Sequence, residues 1–266
     1  MISKIILTID DLKYIDDYRE VGITTFLFPL KDYSVGYNTY TLDEINNINV
    51  SNKYILLNRV LDCKDIDNLK EVLKNLKDIK GIVFEDIGVI ELVKELNIDI
   101  ELILFQNHFN CNKDSINFWL DRVNSVFVSN ELTYDELKYI TDNTNKPVIL
   151  NLYGYNQVMY SRRLLLTNFY SEFNLVNKAK NIIEDQATHV RFRAYENEYG
   201  TVMYSDKIFN GKRLLKLDNV KYYYVNPTMI NHDKIMNYLH DLNKELDKDE
   251  DEGFLDKETI YKLKER

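Results

Sequence analysis

The stretch of this sequence best equipped for chemistry is Asn151–Thr167, in which tyrosines and arginines surround Gly154. The glycine directly follows a predicted strand, where it permits a positive φ or a close approach of two backbones. Tyrosine rings offer flat faces for stacking, and adjacent arginines suit bidentate binding of a phosphate or carboxylate. We therefore predict a substrate-binding site formed by Tyr153, Gly154, Tyr155, Tyr160, Arg162 and Arg163. The alternative is a tyrosine-rich strand-to-helix connection with two solvated arginines.

Further candidate groups follow the predicted strands that precede this stretch. Glu85 and His108 stand after the fourth and fifth predicted strands, and both are side chains of a type that carries out acid–base catalysis. The structural alternatives are a helix cap plus a solvated charge for the pair Glu85 and Asp86, and a hydrogen-bonded loop histidine for His108. Asn130 and Glu131 follow the sixth predicted strand, and we assign them to the substrate-binding group.

Several kinds of site are excluded by motifs that the sequence lacks. It contains no HExxH, no GxSxG and no cysteine paired with a suitable histidine–asparagine set. Its two cysteines, Cys63 and Cys111, are too few for a four-thiolate iron–sulfur or zinc site, and we predict them to be reduced and partly buried. We therefore expect no metal site and no cofactor.

The elements that must position these residues alternate between short apolar runs and amphipathic runs, which is the pattern of βα units. Seven such repeats, at a spacing of roughly 20–25 residues, favour a TIM-like (β/α)8 barrel of irregular form over an open doubly wound sheet. No GxGxxG follows the first strand, so no dinucleotide site is predicted. In a barrel, the site forms at the carboxyl ends of the strands. The predicted strands are Ile5–Ile9, Thr24–Phe28, Tyr54–Asn58, Gly81–Phe84, Glu101–Phe105, Ser125–Val128 and Pro147–Leu152.

The last part of the chain departs from this regular repeat. We predict a β-hairpin inserted at about residues 188–218, then a last strand at Val220–Val225 and a last helix at Asn231–Leu246. Residues 1–246 then form the barrel domain, and residues 247–266 form an acidic link with a short C-terminal arm. We predict that the acidic run Asp247–Glu252 is solvated.

Composition and charge limit the partners. Lys and Arg number 34 against 43 Asp and Glu, and the net charge of −9 argues against a broad basic face for nucleic acid. No apolar run approaches the ~18 residues of a membrane span, and the first residues are typical of a strand and not of a signal peptide. We therefore predict a cytoplasmic protein without a membrane partner. Its composition is compatible with an oligomer.

The central stretch resembles the signature of the peptidase U32 family, often called collagenase-like. Gly154 takes the position of the signature glycine and Thr167 that of its terminal hydroxyl residue. Gln157 and Leu164 stand where the signature has cysteines, as in the short, cysteine-poor members. Asn130 stands where family members usually have an arginine. Further likeness lies, in the family's order, in the segments Gln106–Trp119, Ser129–Leu137 and Glu196–Thr201.

This resemblance implies a choice of functions. Better-understood relatives take part in hydroxylating tRNA or rRNA bases, or a quinone precursor, with cysteine-ligated iron–sulfur clusters. A chain without those thiolates would be a non-redox component of tRNA wobble-uridine 5-hydroxylation that acts with a cysteine-bearing paralogue. One alternative is a stand-alone U32 peptidase that uses Glu85 or His108. The other is a non-catalytic barrel that binds a small molecule such as an aromatic acid.

Overall fold

The computed structural model describes residues 1–257, which form a mixed α/β fold built on one twelve-stranded sheet. The strands are β1 (Ile5–Thr8), β2 (Thr25–Pro29), β3 (Asn52–Leu57), β4 (Gly81–Phe84), β5 (Glu101–Leu104), β6 (Ser125–Val126), β7 (Val148–Ser161), β8 (Lys180–Glu184), β9 (Arg191–Asn197), β10 (Gly200–Asn210), β11 (Val220–Val225) and β12 (Glu250–Asp251). The α-helices are α1 (Ile15–Glu20), α2 (Leu42–Asn47), α3 (Cys63–Lys74), α4 (Gly88–Glu95), α5 (Lys113–Leu120), α6 (Tyr134–Asn143), α7 (Leu165–Glu172) and α8 (His232–His240).

Eight of these strands are parallel and lie in the order β6-β5-β4-β3-β2-β1-β11-β7. They are the seven strands of the predicted repeats and the predicted last strand, so this part of the prediction is confirmed. At the ends of the row, Phe127 forms a parallel bridge with Ile149. The Val128 N–H also donates to the Ile149 carbonyl at 3.0 Å. The two end strands, β6 and β7, are therefore in contact.

The parallel strands carry a buried cluster on one face that is separate from the larger core on the other face. Side chains alternate between the two faces of a strand, so each strand supplies both. The larger core lies under the helices and includes Leu69 of α3 and Ile235 of α8. The second cluster takes residues from the parallel strands or the positions just after them: Ile6, Leu27, Tyr54, Leu56, Val83, Ile103, Phe105, Phe127, Ile149, Tyr222 and Tyr224, together with Tyr37.

Helix starts follow from side-chain caps that the sequence supplies. Thr41 and Thr133 each accept a hydrogen bond from the N–H of a glutamate three residues on, and that glutamate bonds back to the cap. Asn231 caps α8 as predicted, but the helix ends at His240 and not at Leu246.

β7 is much longer than the predicted strand Pro147–Leu152, so most of the central stretch is a strand and not the strand-to-helix connection of the alternative interpretation. The strand runs over 14 residues to Ser161. Its first half pairs in parallel with β11 as far as Tyr153, and its second half pairs with β10 in antiparallel fashion from Tyr153 to Ser161. The stretch stays extended because β10 supplies a hydrogen-bonding partner after β11 ends.

A four-stranded antiparallel sheet grows from this second half of β7. It consists of residues 153–161 of β7 followed by β10, β9 and β8, and we call it the antiparallel extension. The predicted hairpin is confirmed as β9 and β10. The inserted region is larger than predicted, however, because α7 and β8 lie between β7 and the hairpin.

The acidic run Asp247–Glu252 is not a solvated link. Glu250 is buried, and its carboxylate accepts hydrogen bonds from Tyr153 Oη at 2.6 Å and Asn210 Nδ2 at 2.9 Å. β12 pairs with β10, so the run is fastened to the antiparallel extension. The predicted C-terminal arm lies outside the described residues from position 258 onward.

Candidate functional site

A cavity of about 310 Å³ lies where the parallel strands end and the antiparallel extension begins, and we call it the mouth cavity. About 20 Å³ of it admits the centre of a water molecule, which is the room that one ordered water needs. Aromatic rings and side-chain amides line it, a combination typical of small-molecule sites. The lining includes Tyr37, Asn107, Asn151, Tyr153, Gly154, Tyr155, Gln157 and Asn226.

Two amide oxygens of the mouth cavity are buried without a hydrogen-bond partner among the described residues. They are Asn151 Oδ1, at the carboxyl end of the parallel part of β7, and Gln157 Oε1, farther along the same strand. A buried acceptor without a partner costs about 1–3 kcal/mol. A ligand that donates N–H or O–H groups would remove this cost on binding.

Glu85 is the most strongly perturbed carboxyl group at this end of the sheet. Burial, and to a smaller extent the neighbouring Asp86, raises the pKa of Glu85 to about 8. Its Oε2 atom is buried and has no hydrogen-bond partner within residues 1–257. The charge of Glu85 in turn raises the pKa of Tyr37 and of Tyr160, although burial is the larger cause for both rings. At neutral pH, Glu85 is therefore mostly protonated and able to donate a hydrogen bond.

Asp86 has the structural role that sequence reasoning offered for this pair. Its Oδ1 accepts the Gly88 N–H at 2.9 Å at the start of α4, and its Oδ2 accepts the Leu61 N–H at 3.0 Å. The other half of that alternative is wrong, because Glu85 is only partly exposed and its Oε2 atom is buried, so it is not a solvated charge.

The loops after β5 and β6 bring His108, Asn130 and Glu131 together. His108 Nδ1 lies 3.2 Å from Glu131 Oε1, while His108 Nε2 and Asn130 Nδ2 are buried without a partner among the described residues. Glu131 is more than half exposed, so the His108–Glu131 contact contributes little stability. The free ring nitrogen and the free amide are therefore available to a ligand, although the cavity lining does not include them.

Gly154 is confirmed as a special backbone position. Its φ is +139°, and a Cβ atom there would lie 2.5 Å from the carbonyl oxygen of Asn226. The Asn226 N–H donates to the Tyr153 carbonyl at 2.8 Å, which fixes the two chains at this distance. Glycine is required because β7 leaves β11 at this point and passes against the segment that follows it.

Tyr153 and Tyr155, two tyrosines of the central stretch, have different surroundings. The Tyr155 ring lines the mouth cavity and lies under the Arg193 guanidinium, 4.4 Å from its centroid. The Tyr153 ring stacks on Tyr238 at 3.8 Å, and its hydroxyl donates to Glu250. Tyr153 therefore fastens β7 to α8 and β12, and Tyr155 faces the cavity.

The two arginines lie outside the mouth cavity. Arg162 and Arg163 follow the end of β7 and are exposed. The Arg162 guanidinium is 3.9 Å from Asp62, and the Arg163 carbonyl accepts a hydrogen bond from Thr201 at 2.9 Å. Tyr160 is half-buried, and burial raises its pKa; the charge of Glu85 adds to this increase, whereas Arg59 and Arg162 oppose it. The predicted group is therefore divided between a buried part and a surface part.

The antiparallel extension covers the loop that follows β2. Tyr204 Oη donates to the Gly36 carbonyl at 2.7 Å, and Asn197 Nδ2 donates to the Ser34 carbonyl at 3.1 Å. In the same loop, Tyr37 Oη lies 3.4 Å from Tyr224 Oη and lines the mouth cavity. Sequence reasoning missed Tyr37, because the chain contains 20 tyrosines and a single one therefore does not indicate a binding site.

Two segments that resemble the family signature meet in one hydrogen-bonded cluster. Glu196 is buried and accepts hydrogen bonds from the Leu166 N–H at 2.7 Å and from the Thr167 and Thr201 hydroxyls at 2.6 Å each. Burial raises the pKa of Glu196, but the hydrogen bonds from Thr167 and Thr201 outweigh it, so the net pKa is below the ordinary value. Thr167 and Glu196 therefore fix the start of α7 on the hairpin.

The donor set of this chain does not fit an iron–sulfur cluster. Cys63 and Cys111 are its two thiols, and both are exposed, which corrects the prediction that they are partly buried. Within residues 1–257, no group of three or more His, Cys, Asp or Glu side chains could hold a metal ion. The helices of this part of the chain are also too short or too polar for any of them to cross a membrane.

Solved structures similar to this chain share little sequence with it. The structure described as the U32 peptidase Mk0906 has 12% identity and a TM-score of 0.42, over 57% of this chain and 69% of its own. The Bacillus cereus spore cortex-lytic enzyme SleL has 12% identity and a TM-score of 0.44, over 89% of this chain and 72% of its own. A chitinase from Chromobacterium violaceum has 9% identity and a TM-score of 0.41, over 91% of this chain and 100% of its own.

A comparison with curated proteins finds no match. The model of peptidase family U32, in contrast, matches residues 42–223, which is more than half of the chain. This range includes Glu85, His108 and the whole of β7. The chain belongs to the peptidase U32 family.

Proposed function

We propose that the mouth cavity binds a flat, hydrogen-bonding ligand and that this ligand is the wobble uridine of tRNA. The observation that carries the proposal is the set of buried, unpartnered polar atoms at this end of the sheet, among them Asn151 Oδ1, Gln157 Oε1 and Glu85 Oε2. A base taken out of its stack is recognised by hydrogen bonds to its edge and by contact with aromatic rings. Amide oxygens and the rings of Tyr37 and Tyr155 line the cavity and supply both kinds of contact, and the neutral carboxyl group of Glu85 lies at the same end of the sheet, outside the present cavity lining.

The chain then acts as a non-redox component of wobble-uridine 5-hydroxylation, together with a cysteine-bearing paralogue. This division of work rests on the donor set: Cys63 and Cys111 do not suffice for a cluster, and Gln157 occupies a position where the family signature has a cysteine. The paralogue would supply the redox group, and this chain would hold the base. The exposed Arg162 and Arg163 are placed to bind tRNA phosphates.

Binding of a base requires the mouth cavity to open. The volume of the mouth cavity that is open to the centre of a water molecule, about 20 Å³, is far too small for a pyrimidine. Gln157 lines the cavity from the antiparallel extension, so a shift of this sheet or of the Gln157 side chain would admit the base.

For the fold, we propose that the eight parallel strands close into a TIM-like (β/α)8 barrel. The Phe127–Ile149 bridge between the end strands supports closure. The second buried cluster, which includes Ile6 and Ile149, supports closure as well. Side chains from all the parallel strands or the positions just after them meet in it, as they do in the interior of a small barrel. The mouth cavity then lies at the carboxyl ends of the strands, where the sites of such barrels form.

A stand-alone U32 peptidase is the second candidate function. The observation that favours it is the pKa of Glu85, because a carboxyl group with a pKa of about 8 is suited to donate and accept protons near neutral pH. His108 would assist through its unpartnered Nε2 atom. A barrel that binds a small aromatic acid without catalysis is the remaining alternative.

The test is the nucleoside content of tRNA from a strain that lacks this gene. The deletion strain should lose 5-hydroxylated wobble uridine and regain it with the native gene or with His189→Ala, a variant at an exposed position of the antiparallel extension. Glu85→Ala and Gln157→Ala should restore much less of it. Unchanged wobble hydroxylation in the deletion strain would refute the proposal.

A peptide-hydrolysis assay with the purified chain separates the alternatives. Hydrolysis that is lost in Glu85→Ala and His108→Ala would establish the peptidase. A lack of hydrolysis, combined with binding of an aromatic acid and unchanged tRNA, would support the non-catalytic barrel.

A further inference from the structure

The exposed apolar side chains of the described residues are concentrated in one segment. Of the sixteen large hydrophobic residues that are exposed within residues 1–257, nine lie between positions 158 and 190. Exposed apolar groups that are clustered, and not scattered, mark surfaces that bind other proteins. Seven of these nine lie on α7, β8 and the connection between them.

Four of these side chains line a groove between α7 and β8. The centre of a water molecule can occupy about 320 Å³ of this groove, compared with about 20 Å³ of the mouth cavity. Its main residues are Leu165, Leu166, Phe169, Tyr170, Ile182 and Ile183, and we call it the extension groove. Only Leu166 among the leucines and isoleucines of this set is buried, so most of the apolar surface faces solvent.

β8 also presents an open strand edge beside this groove. It is the last strand in the order of the sheet and pairs on one side with β9. No other strand within residues 1–257 covers its outer edge. Such an edge, with unpaired N–H and C=O groups and apolar side chains, is a template for pairing with a further strand.

We propose that a second copy of this chain covers this surface, through antiparallel pairing of β8 with β8 about a two-fold axis at Ile182. The sequence of β8 is Lys-Asn-Ile-Ile-Glu, and in this register it is complementary to itself. Ile182 meets Ile182 of the partner subunit, and Lys180 lies opposite Glu184 of the partner subunit. Opposite charges of the two copies therefore face each other on both sides of the axis, which makes the strand self-complementary, as a two-fold symmetric interface requires.

The charges of β8 in the single chain are compatible with this pairing. Lys180 Nζ lies 4.7 Å above the Tyr195 ring and Glu184 contacts His189 and Arg191, so both side chains are held at the surface of the sheet. Hydrogen bonds from His189 and Arg191 lower the pKa of Glu184, so its side chain is a carboxylate, as a pair with a lysine requires.

Sedimentation of the full chain tests this proposal. The native chain should be a dimer at micromolar concentration, and Ile182→Lys should weaken the dimer by roughly 100-fold or more, since it removes an apolar contact and places two ammonium groups on the axis. Ile87→Lys is the matched control, because Ile87 is 53% exposed and Ile182 is 58% exposed. Ile87→Lys should leave the dimer unchanged.

A charge exchange identifies the occupant. K180E places two carboxylates opposite each other and should weaken the dimer about tenfold, and the double variant K180E/E184K should restore it. A native chain that sediments as a monomer at about 100 μM would overturn the proposal. So would a dimer that Ile182→Lys does not affect or that the exchange does not restore. A complex with the cysteine-bearing paralogue that Ile182→Lys breaks, in the absence of a homodimer, would also overturn it, because the occupant would then be a different chain.

Discussion

The parallel strands and the antiparallel extension leave different groups without partners. At the carboxyl ends of the parallel strands the unpartnered groups are polar and buried, such as Asn151 Oδ1 and Glu85 Oε2. On β8 of the extension and on the neighbouring α7 they are apolar and exposed, such as Ile182 and Phe169. The first set calls for a hydrogen-bonding ligand and the second for an apolar partner surface. In our proposals, ligand binding and association therefore use separate regions, and β7 is the strand common to both.

The largest expected effect is on the parallel side, at Glu85. Burial raises the pKa of its folded-state carboxyl from the ordinary value of 4.5 to about 8. Between these pH values the folded chain keeps a proton that the unfolded chain releases, so the free energy of unfolding should fall as pH rises and level off above about pH 8. Glu85→Gln cannot titrate and should gain up to about 5 kcal/mol relative to the native chain between pH 4.5 and 8.

Urea denaturation of both chains across this pH range measures that difference. Glu91→Gln, at an exposed position on α4, is the matched control and should follow the native curve. A stability difference between Glu85→Gln and the native chain that does not vary with pH would contradict a buried, neutral Glu85.

The second effect concerns the point where β7 passes from one region to the other. Gly154→Ala should lower the free energy of unfolding by about 3 kcal/mol, because the new Cβ would lie 2.5 Å from the Asn226 carbonyl oxygen at a φ of +139°. Gly22→Ala is the control, since its φ of +93° is also positive but its Cβ would meet only Ile2, at 3.4 Å. That variant should lose about 1 kcal/mol. Equal losses in thermal or urea denaturation would mean that the close backbone approach is unimportant.

Whether a strand or helix could be predicted from the sequence depends on how far away in the chain its hydrogen-bonding partners lie. The parallel strands are buried on both faces and appear as apolar runs, and the caps of α2 and α6 are local, so these elements could be predicted. The second half of β7 could not, because its partner β10 is about 50 residues away. β8 is short and mostly exposed, with no apolar alternation to indicate a strand.

The candidate site shows the same division. Glu85, directly after β4, could be predicted because the strand ends of a parallel sheet converge, and Gly154 could be predicted because it is the glycine of a tyrosine-rich stretch that follows an apolar run. The participation of Tyr37 depends on how the antiparallel extension folds over the loop after β2, which is a tertiary contact. For the same reason, sequence reasoning placed Arg162 and Arg163 beside the tyrosines of the mouth cavity, whereas the extension carries them away from it.

A smaller effect is expected at Tyr153, which joins the extension to the C-terminal segment. Tyr153→Phe should lower the free energy of unfolding by about 1–2 kcal/mol, because the buried Glu250 carboxylate loses the hydroxyl donor at 2.6 Å. Tyr139→Phe, at an exposed position on α6, should have no measurable effect in the same denaturation experiment. If Tyr153→Phe is equally silent, the acidic run is not fastened through this bond.

The smallest effect on stability is expected at the surface arginines. Arg162→Ala and Arg163→Ala should each change the free energy of unfolding by less than about 0.5 kcal/mol, because both side chains are exposed. Each should nevertheless weaken tRNA binding and reduce the slope of log affinity against log salt by about 1. Arg19→Ala, exposed on α1, is the control. Titrations that give equal affinities for all three variants and the native chain would exclude the arginines from tRNA binding.

The most direct test of the account is the protonation state of Glu85. Infrared difference spectroscopy of the native chain against Glu85→Gln should show the C=O band of a protonated carboxyl group at pH 6.5, and this band should disappear with a midpoint near pH 8. A difference band that has already disappeared at about pH 5 would mean that Glu85 is an ordinary charged carboxylate, and the mouth of the sheet would then not hold a neutral donor for a ligand.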